Sequence, residues 1–101
     1  MIHTGISYGI WNGWDGKPLA EAPLFYQNTN DATGAVLDGL SGENAKIAEV
    51  LQAAGADMTA WQPIDKYLLE VYGDVISDHS STSVRYRDAP PAANSYCCDA
   101  C

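Results

Sequence analysis

The sequence is poor in cysteine: residues 1–96 contain none, and Cys97, Cys98 and Cys101 fall within the last five positions. Disulfides stabilise a fold by closing loops within it, so a terminal cluster cannot cross-link the preceding residues to one another. An odd number of cysteines also fits a reducing compartment better than a secreted disulfide framework. We therefore expect a cytoplasmic protein that folds by burying apolar side chains.

Basic residues are also scarce, with five Lys and Arg against thirteen Asp and Glu and a formal net charge of −8. Nucleic-acid binding depends on Lys and Arg at phosphates, and anionic membranes attract polybasic segments. We therefore expect no direct nucleic-acid binding and no membrane binding. A basic protein surface, such as that of a nucleic-acid-binding protein, is the expected partner. The alternative is that the charge only keeps the protein dispersed.

Long apolar runs are missing as well: none approaches the roughly 18 residues that cross a bilayer, and residues 1–5 lack the basic segment of a secretory signal. What is present is a hydrophobic fraction of 47% with ten aromatic residues, three Trp, six Tyr and one Phe. Such a composition favours a folded chain over a disordered one. We expect one domain over residues 1–88, followed by a Pro/Ala spacer and cysteine-rich tail over residues 89–101.

Alternating patterns predict three strands. Residues 2–11 alternate with the two-residue period of a strand that buries one face. Asn12-Gly13 and Asp15-Gly16 accept positive φ and predict a reversal of the chain. Residues 24–27 then follow as the second strand of a hairpin, and residues 84–87 alternate again as a C-terminal strand.

The middle of the chain predicts helices. A weak one covers residues 31–40, and a stronger one begins at Ser41 and ends before Gly55, which suits a left-handed end residue. Another begins at Pro63, and Gly73 either ends it or lies inside it. The predicted fold class is therefore α+β, a small antiparallel sheet made of the N-terminal hairpin plus a C-terminal strand, packed against two or three helices.

Carboxylates recur every four residues at Glu70, Asp74 and Asp78, so a helix that continued through Gly73 would carry them on one face. Such a face repels itself and would be relieved by a partner that supplies Lys or Arg. Glu43 and Glu49 extend this predicted partner-binding surface. The alternative is that the helix stops at Gly73 and the three side chains point in unrelated directions.

Two tryptophans near the predicted turn, Trp11 and Trp14, complete the predicted partner-binding set. Tryptophan is enriched at binding hot spots, which favours a role as apolar anchors. The alternative is that both rings cover the open end of a small core.

The cysteine cluster is the predicted metal site. Cys98 and Cys101 have Cys-x-x-Cys spacing behind Cys97, and thiolates so spaced bind zinc or another soft metal, or cycle through a disulfide. A fourth ligand would have to come from His79, His3 or Asp99, or from a second molecule. Apart from this metal, we expect no cofactor. A tail with no function is the alternative.

No pattern predicts a catalytic residue. Asp78, His79 and Ser80 are the residue types of a hydrolytic triad, but consecutive residues cannot converge as triad members do. The glycine-rich stretch over residues 9–17 lacks the ending of a phosphate loop. The sequence therefore favours a non-enzymatic role and leaves an enzyme as the third alternative, with active residues that only the fold would bring together.

These features together predict a small acidic protein-interaction module. Its expected role is that of an inhibitor or regulator, a nucleic-acid mimic of the kind found in phages and mobile elements, which blocks a basic surface of its partner. The alternative is a metal- or thiol-handling protein that uses the C-terminal cysteines.

Overall fold

A computed structural model describes residues 1–89 of the chain. Within this range the structure is helical and contains no β-strand. The helices are α1 (Ile2–Trp11), α2 (Asp31–Ala53), α3 (Ile64–Tyr72) and α4 (Thr82–Asp88), and a short 3-10 turn covers Tyr26–Asn28. The predicted α+β class is therefore wrong. None of the helices in residues 1–89 is both long enough and apolar enough to span a membrane.

The predicted N-terminal strand is helix α1. Ile2, Ile6 and Ile10 are four residues apart and lie on one helical face, where Ile6 is fully buried and the other two pack beside it. Thr4 and Tyr8, which a strand would have buried together with the isoleucines, are exposed. The apolar face of α1 therefore repeats with the helical period.

Gly13 and Gly16 both adopt positive φ, at 85° and 79°, as expected for the glycines of the predicted turn. The second predicted strand, residues 24–27, is wrong. Phe25 has helical backbone angles, leads into the 3-10 turn and is fully buried. Its ring lies in the core, and burial of this aromatic side chain anchors the segment.

Helix α2 unites the two predicted middle helices in a single helix of 23 residues. Asn30 begins it, because its side chain accepts a hydrogen bond from the Thr33 N–H at 2.9 Å. Gly39 lies inside the helix, and a Cβ atom added there would meet open space beyond the backbone of its own helix. Gly55 follows the last turn with φ of 98°, which confirms the predicted left-handed end.

Helices α3 and α4 form a pair near the end of the described chain. Pro63 precedes α3 as predicted, and Gly73 follows its last residue. Ser81 begins α4 by accepting a hydrogen bond from the Val84 N–H at 3.4 Å. The predicted strand at residues 84–87 is therefore wrong, because these residues form the middle of α4. The predicted domain boundary at residue 88 coincides with the end of α4 and stays a prediction.

The core joins all of these elements. Its buried centre consists of Ile6, Phe25, Leu37 and Tyr86, contributed by α1, the segment before the 3-10 turn, α2 and α4. Ile64 and Leu68 of α3 pack against this centre, and Ile64 lines a common cleft with Ile2 of the first turn of α1. The first turn of α1 is therefore held next to the 3-10 turn and the start of α3.

Candidate functional site

The first turn of α1 presents an imidazole to solvent beside two aromatic rings. The Nε2 atom of His3 lies 3.0 Å from the hydroxyl oxygen of Tyr26. The His3 ring also makes edge contacts with the rings of Phe25 and Tyr26, at centroid distances of 5.4 and 6.1 Å. Because Phe25 is fully buried, a rigid part of the core supports the imidazole.

Burial raises the pKa of Tyr26 above its ordinary value of 10.0, since a phenolate loses more hydration than a phenol on leaving water. The hydroxyl therefore keeps its proton near neutral pH and can either donate to His3 or accept from it. Which of the two it does depends on the imidazole tautomer. In one tautomer the Nε2–H of His3 donates to the hydroxyl oxygen, and in the other Nε2 accepts the hydrogen bond of the Tyr26 hydroxyl.

Two clefts adjoin this pair. The His3 cleft has a volume of about 340 Å³ and is lined by Met1, Ile2, His3 and Ile64. The tyrosine cleft, with a volume of about 160 Å³, shares two of these walls with it. Its lining residues are Ile2, Tyr26, Ile64, Tyr67, Leu68, Tyr72, Tyr86 and Ala89.

His79, the second histidine, serves the connection between α3 and α4. Its Nε2 atom lies 2.8 Å from the carbonyl oxygen of Gly73, and its own carbonyl accepts from Arg85 Nε at 2.9 Å. Asp78 bonds to the backbone N–H and hydroxyl of Ser80, at 2.8 and 2.6 Å. These two bonds, the hydroxyl contact first, lower the pKa of the Asp78 carboxyl. These contacts of His79 and Asp78 hold the loop between α3 and α4 in its fold.

The predicted acidic face is not formed. Helix α3 ends at Tyr72, so Glu70 lies on the helix while Asp74 and Asp78 lie in the loop that follows. The alternative that the helix stops at Gly73 is confirmed. Glu43 and Glu49 are exposed on α2. That these five carboxylates bind a partner stays a prediction.

Trp11 and Trp14 lie together, with ring centroids 5.3 Å apart in an edge-to-face contact. Trp11 packs against the core, as one alternative expected, whereas Trp14 is half exposed. The indole N–H of Trp14 donates to the carbonyl oxygen of Lys17 at 2.9 Å. Both rings line a shallow groove of about 390 Å³, and their role as partner anchors stays a prediction.

The predicted metal ligands Cys97, Cys98 and Cys101 lie outside the described residues. Within residues 1–89 no group of three or more His, Cys, Asp or Glu side chains could hold a metal ion. The cysteine cluster as a metal site is an untested prediction.

Comparison with known proteins places the chain beside dehydrogenases. No protein-family model matches it. Octopine dehydrogenase of Pecten maximus is 40% identical over 80 residues, which cover 77% of this chain and 20% of that protein. Tauropine dehydrogenase of Arabella iricolor is 37% identical over 83 residues, or 80% of this chain and 21% of that protein. The chain thus spans about a fifth of the length of the curated relatives it matches.

Solved structures agree with these relatives. A structure of octopine dehydrogenase with NADH and L-arginine matches with a TM-score of 0.83 and 33% identity, over 94% of this chain and 24% of that one. A second, in complex with NADH and agmatine, matches with a TM-score of 0.82 at the same identity and coverage.

These similarities overturn the predicted function. Proteins similar over most of the chain are dehydrogenases, so the acidic inhibitor, the phage or mobile-element regulator and the nucleic-acid mimic are wrong. The alternative of a metal- or thiol-handling protein is wrong for the same reason. The expected basic protein partner is also wrong, since the matched structures hold NADH with L-arginine or agmatine. The presence of NADH there conflicts with the expectation of no cofactor.

His3 was predicted only as a possible metal ligand, and Tyr26 was not predicted as a site residue, because residues 2–11 were assigned to a strand. The isoleucine spacing of four was the signal that could have placed His3 in the first turn of a helix. No local pattern joins it to Tyr26, which lies 23 residues further on.

Proposed function

We propose that this chain forms part of the helical, substrate-binding portion of an NADH-dependent dehydrogenase related to octopine and tauropine dehydrogenases. The observation that carries the proposal is the structural match to octopine dehydrogenase over 94% of the chain. Sequence identities of 37–40% with dehydrogenases of Pecten maximus and Arabella iricolor support it. The activity belongs to the whole enzyme, of which this chain supplies one part.

The described residues do not fit the nucleotide itself. Dinucleotide sites of the usual kind need a strand, a glycine-rich turn and the N-terminus of a following helix. Residues 1–89 contain no strand, and their glycine-rich stretch lies at the C-terminal end of α1, before an irregular segment. The proposed enzyme therefore holds NADH on residues other than these.

The described residues offer no nucleotide site, but they do offer a pair of side chains suited to proton transfer. Dehydrogenation of an amine or alcohol removes a proton from the heteroatom, and an imidazole is the side chain that most often takes such a proton. His3 is exposed to the His3 cleft, and Tyr26 fixes the orientation of its Nε2 atom. We assign His3 as the general acid–base and Tyr26 as its positioning residue.

The location and domain organisation complete the proposal. A cytoplasmic location is supported by the absence of cysteine from residues 1–96 and by the odd cysteine count. A single helical domain over residues 1–88 is supported by the core that joins all four helices.

A chimeric enzyme tests the proposed function. Residues 1–89 would replace the matched segment of the Pecten maximus octopine dehydrogenase, and NAD⁺ reduction would be followed with octopine, tauropine and a panel of amino-acid derivatives. We expect turnover of at least one compound at a rate no more than about a hundredfold below that of the parent, the usual cost of a slightly misplaced catalytic group.

The control is a chimera that carries Ile6→Asp, which places a charge in the core and should abolish both folding and activity. A chimera that folds and binds NADH like its parent, yet turns over none of the compounds, would refute the proposed function.

A further inference from the structure

The His3 cleft and the tyrosine cleft adjoin one another and share lining residues. Ile2 and Ile64 form walls of both, and the Tyr26 side chain lines the tyrosine cleft while its hydroxyl reaches His3. A molecule whose reacting atoms lie at His3 can therefore extend across the two isoleucines, with its other end between the tyrosine rings.

The tyrosine cleft carries no ionisable charge among its lining residues, which are tyrosines, aliphatic side chains and Ala89. The nearby carboxylate of Asp65 is already paired with Arg85 at 2.5 Å, and both side chains are largely buried. Burial raises the pKa of Tyr86, and Asp65 and Asp38 raise it further, so its hydroxyl stays neutral. The cleft therefore offers an apolar, uncharged surface.

We propose that the tyrosine cleft holds an uncharged, apolar side chain of an amino-acid substrate whose reacting end lies at His3. This inference rests on the proposed function and names the substrate class of that site. Burying alkyl or aromatic carbon against Ile2, Ile64 and the tyrosine rings is favourable. No carboxylate lines the cleft, so a guanidinium or ammonium group there would lose hydration without a lining partner of opposite charge.

The proposed substrate differs in charge from the ligands of the matched structures, which are L-arginine and agmatine. A guanidinium could still contact tyrosine faces through cation–π attraction, but that attraction alone compensates poorly for lost hydration. The proposed site therefore binds a cationic amino acid more weakly than an apolar one.

Binding to the 101-residue protein tests the inference directly. Backbone amide NMR spectra would be recorded during titration with L-leucine, L-phenylalanine, L-arginine and agmatine. We expect L-leucine and L-phenylalanine to shift the amides of Ile2, Ile64 and Tyr67 and to bind roughly tenfold more tightly than L-arginine.

Substitutions of Tyr67, which lines the tyrosine cleft, show whether the apolar amino acid binds there. Tyr67→Ser should weaken L-leucine binding several-fold, and Tyr67→Phe should retain it. Tyr8→Ser is the matched control, because Tyr8 is exposed to a similar extent, 56% against 46% for Tyr67, and lines neither cleft.

L-Arginine binding as tight as that of L-leucine, or L-leucine shifts that spare all three amides, would overturn the inference. A chimera that turns over octopine in preference to apolar derivatives would also overturn it while leaving the proposed function intact. If L-leucine binds to the protein but the chimera folds and is inactive, the proposed function is refuted instead.

Discussion

Two glycines allow α1 to lie close against α2. A Cβ atom added at Gly9 would lie 1.9 Å from Thr33 Oγ1, and one added at Gly5 would lie 2.6 Å from Leu37 Cδ2. Thr33 is itself held in place by hydrogen bonds to Asn30 and is almost completely buried. The glycines, which disfavour a helix by themselves, are therefore required by the packing of the two helices.

We predict that Gly9→Ala destabilises the protein by about 2 kcal/mol or more, because the added methyl group overlaps a buried, hydrogen-bonded side chain. Urea denaturation measures the change in the free energy of unfolding. Gly39→Ala is the control, since Gly39 lies in α2 with no atom within 4 Å of the added methyl group. That variant should gain about 0.5–1 kcal/mol from helix propensity, and equal effects of the two changes would contradict the packing described here.

Asp88 gives the protein a pH-dependent contribution to stability. Its carboxylate accepts from the hydroxyl and the backbone N–H of Ser77, at 2.6 and 2.9 Å. These bonds, the hydroxyl contact first, lower the pKa of Asp88 below its ordinary value of 3.8. Because the folded-state pKa is depressed, the contribution is present above that ordinary value and is lost as the pH falls through the folded-state pKa.

We predict that Asp88→Asn lowers the free energy of unfolding by on the order of 1 kcal/mol near neutral pH, a value reduced by solvent screening. The difference from the parent protein should shrink in acid. Urea denaturation across the acid range measures it, with exposed Asp74→Asn as the control. A deficit that persists unchanged in acid would show that Asp88 acts through something other than its charge.

At the scale of the helices, some elements have clear start or end residues in the sequence, whereas others have an ambiguous apolar period. The end of α2 at Gly55 and the start of α3 after Pro63 were predicted because glycine and proline restrict the backbone locally. Helix α1 was missed because a spacing of four, from Ile2 to Ile6 to Ile10, fits a period of two as well as a period of 3.6. Helix α4 was missed because four alternating residues are too few to separate the two periods.

An ion pair links α3 to α4. Arg85 Nη1 lies 2.5 Å from Asp65 Oδ2, and Arg85 also donates to the carbonyl oxygen of His79. The side chains of the pair are only 17% and 15% exposed, so water screens them little. The pair therefore fixes the angle between the two helices that carry Tyr67 and Tyr86.

We predict that Arg85→Met destabilises the protein by about 3 kcal/mol, because it leaves the Asp65 carboxylate buried without a partner. The double variant Arg85→Met with Asp65→Leu should recover most of that loss. Thermal or urea unfolding of both single variants and the double variant gives the coupling energy. Additive losses would show that the two side chains do not interact.

At the scale of the whole molecule, the site depends on contacts that no local pattern encodes. His3 and Tyr26 meet across the irregular segment of residues 12–25, and the tyrosine cleft combines residues from positions 2 to 89. Composition correctly indicated a folded chain with an apolar core, but its acidity suggested the wrong class of partner. Net charge reports on solubility and association, not on fold.

The surface of α2 agrees with a role inside a larger enzyme. Ile47, Val50 and Leu51 lie on one face of its C-terminal half and are all exposed. A continuous apolar face of this kind normally packs against another part of a protein. The proposed function supplies such a part, since the chain spans about a fifth of its dehydrogenase relatives.

The most direct test of the account measures proton transfer at His3. In the chimeric dehydrogenase, His3→Gln should lower the rate of NAD⁺ reduction with the preferred substrate by about 10²–10⁴-fold, the usual contribution of a general acid–base. His79→Gln, which keeps a donor near the Gly73 carbonyl, should leave the rate within a few-fold of the unaltered chimera. Equal rates for the two variants, with both folded and binding NADH, would contradict the assignment of His3 as the proton-transfer residue.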